Sequence, residues 1–279
     1  MKAGRAMRHM LSRHPAILVG GGLLVLVGLV AIAAPLLGTV DPHKLTPLNR
    51  LKPPSANAWF GGDMVGRDLY SRTLHGARVS LIVGFSVAVL STVIGLGVGL
   101  IAGFVRWFDS IAMRMMDGMM AIPAILLAVA MIALTGASLQ NVIIAITVSE
   151  VPRVARLVRS VVVSLRERPY VEAAAMVGTR FPALLWRHIL PNAMAPLLVQ
   201  GSYIFASAVL IEAALSFIGA GTPPDIPSWG NMIAEGRNVF QIAPHIVLFP
   251  GFALAMTVLA VNLVGDGLRD ALDPRFERR

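Results

Sequence analysis

The sequence predicts an all-α integral membrane protein with six transmembrane helices, and three observations lead to that expectation. Of 279 residues, 56% are hydrophobic and only 14% are charged, a balance outside the range of soluble domains. The apolar residues gather into long runs, and about 20 helical residues cross the ~30 Å hydrocarbon core of a bilayer. The basic residues are sorted by segment: four precede Pro15, two are Arg106 and Arg114, seven lie from Arg153 to Arg187 and four follow Val264, so six spans put 17 of the 24 Lys and Arg on one side. Basic segments stay in the cytoplasm, which places both termini there.

Composition also removes several functions. A net charge of +9 could suggest a nucleic-acid partner, but the basic residues follow the topology and lack the aromatic interleaving of a nucleic-acid surface. There is no cysteine, hence no disulfide, thiol catalysis or Cys metal site. His9, His14, His43, His75, His188 and His245 show no ligand spacing, so no metal is expected. No Gly-x-x-x-x-Gly-Lys-Ser/Thr sequence occurs, so the chain cannot hold ATP in a phosphate loop and no cofactor of its own is expected. No nucleophile and base recur on one helix face, which argues against a membrane-embedded enzyme.

The first span is the run Pro15 to Leu37, behind a tail carrying Lys2, Arg5, Arg8 and Arg13. It exceeds a signal-peptide core and Ala33-Ala34-Pro35 is a poor cleavage site, so its retention is expected. Asp41 to Arg78, with Pro42, Pro47, Pro53 and Pro54, reads as an irregular outer loop with a short helix near its end. The second span runs from about Val79 to Val105, with Gly95, Gly99 and Gly103 at four-residue spacing that lets another helix approach closely. Gly95-x-Gly97-x-Gly99 lies within this apolar helix without a Lys and binds no nucleotide. A turn from Arg106 to Ser110 leads to the third span, about Ile111 to Leu134. There Met113, Met116 and Met120 share a helical face and are candidates to line a pathway, beside the more common use of methionine as core filler. Asp117 falls near the cytoplasmic end of this span, within reach of water or an arginine.

Leu139 to Val163 is the weakest span, because Glu150, Pro152, Arg153, Arg156 and Arg159 interrupt it. Without it the seven arginines that follow would change sides, so it is kept, with a bend at Pro152. Tyr170 to Gly178 and Ala183 to His188 then read as helix, Gly turn, helix. The fifth span covers about Ile189 to Phe217, with Pro191 tolerated in its first turn. Glu212 lies near its outer end, either as a solvated or paired carboxylate or as a pathway-lining group at an outer gate. Gly219 to Pro244 is an outer loop with a short re-entrant or interfacial helix and Trp229 at headgroup level. The sixth span runs from about His245 to Val264.

The stretch Glu172-Ala173-Ala174-Ala175-Met176-Val177-Gly178, followed by His188-Ile189-Leu190-Pro191-Asn192, resembles the EAA loop of permease subunits in ABC importers of the dipeptide, oligopeptide and nickel branch. A second Glu-Ala-Ala at Glu212-Ala213-Ala214 has apolar flanks and lacks the downstream Gly and Ile-Leu-Pro. Phe60-Gly61-Gly62-Asp63-Met64-Val65-Gly66-Arg67-Asp68-Leu69-Tyr70-Ser71-Arg72 resembles the branch signature Leu-Gly-Thr-Asp-x-x-Gly-Arg-Asp-x-x-Ser-Arg, with Phe60 for Leu and Gly62 for Thr. Its role is either to receive a binding protein or to cap a helix, with Arg67 and Asp68 paired locally. Pro227-Ser228-Trp229-Gly230-Asn231-Met232, Glu235-Gly236 and the tail from Gly265 to Arg275 also resemble that branch, so the resemblance covers about Trp59 to Arg275.

The resemblance implies a type I ABC importer permease fold and a C-type subunit in a bacterial or archaeal plasma membrane. Its parts would be 1–78 (tail, first span, outer loop), 79–268 (five-helix core with a coupling loop at about 165–188) and 269–279 (cytoplasmic tail). Tyr170, Glu172, Ala173, Ala174, Gly178 and Arg187 would form the ATPase-coupling elbow, the other reading of Glu172 being an ordinary solvated helix face. The implied partners are a second homologous permease, two ATP-binding-cassette subunits that use the ATP, and a solute-binding protein that delivers a peptide. Nickel or another small solute is the alternative cargo. An ion-coupled secondary transporter would instead need ionisable groups near the membrane midplane.

Overall fold

An apolar helix gains nothing from packing unless small residues let its backbone approach another, and the first helix illustrates this. The computed structural model describes residues 15–56 and 58–272; the expected cytoplasmic segments at 1–14 and 273–279 lie outside them. Helix α1 (Pro15–Ala33) has no charge and buries only Gly20 and Ala31. Gly20 sits against the Ala260 carbonyl and Leu263, where any Cβ would overlap. At its far end the Arg78 guanidinium donates to the carbonyls of Ala31 and Ile32, which would otherwise be unpaired.

Helix α2 (Leu69–Phe104) is 36 residues long, about 54 Å, and so outreaches a bilayer core at its outer end. The short helix expected near Arg78 is its continuous first part. Asp68 begins it by accepting from the Ser71 amide at 2.8 Å. The Gly95, Gly99, Gly103 stripe lies against Val154, Ala155, Val158 and Val162 of helix α5 (Leu139–Arg166). The main core clusters around this contact.

The third span is not one helix. Helix α3 (Arg106–Met120), which includes the expected turn at 106–110, and helix α4 (Ala124–Thr135) meet at 92°. Pro123 supplies the reason: it has no amide to donate and disfavours helical backbone at Ile122. Helix α5, by contrast, continues through Pro152.

Helix α6 (Pro169–Met176), a short turn and helix α7 (Phe181–Leu184) precede a π-helical turn at Leu185–Ile189. Helix α8 (Leu190–Phe217) follows without a break. Proline at 191 cannot donate to the Arg187 carbonyl, and the wider turn accommodates that loss; the Asn192 side chain donates to the His188 carbonyl at 2.7 Å. Helix α9 (Trp229–Gly236) sits in the outer loop. Trp229, expected at headgroup level, is buried against α2 rather than exposed, its indole donating to the Thr73 carbonyl at 2.9 Å. Helix α10 (His245–Leu272) runs eight residues past the expected end, because Gly265 and Gly267 let Ser202 and Ile17 pack against it.

Among the described residues four helical segments are long and apolar enough to cross a membrane, or five if the bent α3–α4 pair is one span rather than a re-entrant loop. Helix α5, with 28 residues, has the length of a span but carries Glu150, Arg153, Arg156 and Arg159. No extended strand occurs among the described residues, only two isolated bridges in the outer loop.

Candidate functional site

Three places gather the residues that carry chemistry. The first is the elbow between α5 and α8. Helix α6 ends in a Schellman turn: Thr179 N–H donates to the Ala174 carbonyl at 3.1 Å and Gly178 N–H to the Ala175 carbonyl at 3.0 Å. Gly178 takes φ +83° there, a conformation that costs a residue with a Cβ about 1–2 kcal/mol. Val171 pins the helix inward, while Tyr170, Glu172 and Ala173 are exposed and Ala174 half-buried. Met176 and Val177 are 88% and 87% exposed, and Trp186 and Arg187 also face outward. Tyr170 lies 6.2 Å from the His188 ring, centroid to centroid, so both limbs of the elbow meet at its base.

The second place is the face where α3 meets α5. Three arginines spaced by three on α5 each have a carboxylate. Arg159 pairs with both oxygens of Asp109 on α3, one contact at 2.6 Å. Arg156 pairs with Asp117 on α3, and Arg153 with Glu150 on its own helix at 3.2 Å. Met113, Asp117, Arg156 and Arg159 line an open cleft of about 580 Å³. Of the expected methionine face, Met113 reaches that cleft; Met116 and Met120, half-buried and exposed, do not line it.

The third place is the junction of the loop between α1 and α2 with helix α9, where two arginines are held between two carboxylates. Asp63 accepts from the Val65 and Arg67 amides at 2.9 and 2.8 Å, from Arg67 Nε at 2.6 Å and from Arg72 Nη1 at 2.6 Å. Glu235 of α9 accepts from Arg67 Nη2 at 2.8 Å and Arg72 Nη1 at 2.7 Å. Arg67 therefore pairs with Asp63 and Glu235 rather than with Asp68, which caps α2. The cationic neighbours Arg72 and Arg67, with the Val65 amide, hold the Asp63 carboxyl below its ordinary 3.8, although burial, the largest single influence, pushes it the other way. The loop's backbone is equally tight. A Cβ at Gly62 would overlap the Asn49 carbonyl and one at Gly66 the Thr46 carbonyl, and Phe60 stacks on Phe249 at 3.9 Å. Both departures from the branch signature, Phe60 and Gly62, thus have a packing role.

Glu212, expected as a solvated or gate-lining carboxylate, is fully buried. It accepts from Ser216 Oγ at 2.9 Å and lies 3.5 Å from Thr222 Oγ1, under the loop that Asn231 ties down through four bonds from its side-chain amide. It faces no open passage in this conformation.

Comparison with known proteins fixes what kind of protein carries these places. Residues 95–278 match the family described as binding-protein-dependent transport system inner membrane component. The chain belongs to that permease family. Residues 3–54 match the N-terminal TM domain of oligopeptide transport permease C. A probable peptide ABC transporter permease protein of Sinorhizobium fredii is 57% identical over 267 residues, 96% of this chain and 91% of the relative. The dipeptide transport system permease protein DppC of Alkalihalophilus pseudofirmus is 46% identical over 259 residues, 92% of this chain and 85% of the relative. A chain of the MetNI methionine ABC transporter in an inward-facing conformation superposes with a TM-score of 0.60 at 22% identity, over 72% of this chain and 97% of that one. At that identity the likeness carries the fold alone.

Sequence reasoning on the permease missed the partner of its outer-loop arginines. Glu235 stands 163 and 168 residues from Arg72 and Arg67, and the only available signal was that Asp63, Arg67 and Glu235 all fall in branch motifs.

Proposed function

We propose that this permease is the C-type membrane subunit of a bacterial peptide importer, forming half of a translocation pathway that ATP-binding-cassette partners drive. The observation that carries it is the end-to-end similarity to peptide and dipeptide permeases, over 96% of the chain for one of them. In this reading α5 is the sixth span, with α1, α2, the α3–α4 pair, α8 and α10, and both termini are cytoplasmic. A homologous permease completes the pathway, and a solute-binding protein delivers the peptide at the outer face.

The elbow supplies the energy input. Tyr170, Glu172, Ala173, Ala174, Gly178 and Arg187 form the surface that two ATPase subunits engage, one on each permease; small alanines let the partner approach, and Met176 and Val177 offer apolar anchors. ATP-driven closure draws the two elbows together, moves α5 and α8, and opens the pathway outward; hydrolysis resets it inward.

The test is reconstitution. The complex purified through a tag after Arg279 is expected to contain a second permease and ATPase subunits, and to take up a labelled dipeptide into vesicles only with ATP and binding protein. A chain that purifies alone, or uptake that follows a proton gradient without ATP, overturns the reading. Nickel uptake without peptide uptake overturns the cargo.

A further inference from the structure

The arginines of α5 have no role in the elbow or the outer loop, and their placement restricts what they can face. Arg153, Arg156 and Arg159 lie about 21, 26 and 30 Å along the helix from Leu139, so when α5 spans a ~30 Å bilayer core they occupy its last third, toward the side that the basic residues mark as cytoplasmic. The side chains of Arg153, Arg156 and Arg159 are nonetheless 49%, 48% and 37% exposed. A guanidinium at that depth does not face acyl chains. This face of α5 therefore borders water or a partner subunit, and in the peptide reading the cleft beside it stands at the inner end of the pathway.

The three ion pairs differ in how firmly they are held. Arg159 engages Asp109 through two nitrogens, and Asp109 is only 21% exposed; a forked pair of this kind fixes geometry. Glu150 is fully buried and out of reach of a passing solute. Asp117, however, is 63% exposed and Arg156 48%, and a pair that open to water contributes only about 0–1 kcal/mol. It is the pair that a competing ligand can open. Both members line the 580 Å³ cleft, a size within the range of small-molecule sites, and Met113 gives that cleft an adaptable apolar wall.

We propose that Arg156 and Asp117 form a transit site for zwitterionic peptides, an inference that rests on the peptide reading above. The peptide's terminal carboxylate takes the Arg156 guanidinium and its ammonium takes Asp117. The two termini replace the internal pair, so the charges at membrane depth stay neutralised with the site empty or filled. Arg159, fixed by Asp109, adds positive potential beside the carboxylate position. Because the peptide's ion pairs are as open to water as the pair they replace, the peptide is held loosely, as a pathway requires.

The absence of cysteine makes a direct test possible. In the full importer, Met113→Cys places the permease's one thiol in the cleft, and its labelling by a charged, water-soluble thiol reagent is followed by mass spectrometry of this chain. Alanyl-alanine at about ten times its half-protecting concentration is expected to slow labelling about tenfold, whereas the N-acetyl, C-amide form, without charged ends, does not. Adding Arg156→Gln removes the protection and Arg156→Lys, which keeps a cation, retains most of it. Equal protection by the two peptide forms, or full protection in the Arg156→Gln background, overturns the proposal. So does absence of protection in a preparation that takes up the dipeptide, with the peptide reading intact. Absence of dipeptide uptake by the unaltered importer overturns both.

Discussion

Arg72 has 1% of its side chain exposed, and such a cation is tolerable only because Asp63 and Glu235 grip it from two sides. Breaking one side of a buried pair leaves an uncompensated charge and costs about 3 kcal/mol or more. Asp63→Asn is therefore expected to lower the thermal stability of the purified importer and to make the outer loop a preferred protease site, whereas Asp41→Asn, at an exposed turn, does neither. The pH dependence follows from the lowered Asp63 pKa. A carboxylate with a depressed folded value contributes stability that is complete above the unfolded value, 3.8, and is lost as pH falls through the folded one. Hydrogen exchange of loop amides, corrected for intrinsic rates, is expected to be flat from neutrality down to about pH 4.5 and to rise in stronger acid. Loosening between pH 7 and 5 would count against Asp63 as the anchor.

At the scale of elements, the elbow and the broken span differ in how readable they were. Gly178 could be assigned to a turn because a glycine after a run of helix formers has a specific geometric use, and its φ of +83° meets that use. Among the described residues nothing packs within 4 Å of the position where its Cβ would stand, so the first side-chain carbon of Gly178→Val meets no neighbour there. Its cost is backbone strain, about 1–2 kcal/mol, enough to tilt α6 but not to unfold the spans. The expected outcome is normal membrane insertion and complex yield with uptake reduced at least about tenfold, the rate equivalent of such an energy; normal uptake would remove Gly178 from the coupling role. The α3–α4 break was also written in the chain, at Pro123, but an apolar run dominates any count made by hydropathy, and the run continues straight through the proline. The far ends of α2 and α10 were missed for a related reason: polar and glycine residues there signal the membrane edge, while the helices themselves continue, supported by neighbours rather than lipid.

For the whole molecule, the spans are legible wherever an apolar run and a long helix coincide, and not in α5, where Glu150, Arg153, Arg156 and Arg159 stand within the helix. Charge distribution is the argument for α5 as a span, since seven arginines change sides if it is dropped. Accessibility can check the outcome: in this cysteine-free chain, Ser55→Cys is expected to react with an impermeant thiol reagent in intact cells and Val177→Cys only after the membrane is opened. Both reacting from one side would require an even number of spans between them, two in place of three, and would remove α5 from the count. Glu212 was beyond sequence reasoning because the following loop folds back over it, and the Glu235 quartet because its members come from segments far apart in the chain. That separation has a consequence for how the protein is made. Asp63, Arg67 and Arg72 leave the ribosome long before Glu235, so while the later helices are still being synthesised the first outer loop holds two guanidinium groups against one carboxylate. The loop reaches its final form only when nearly the whole polypeptide has been threaded into the bilayer. A chain that stalls before residue 235 lacks the second carboxylate that holds Arg67 and Arg72, and its loop stays unfinished.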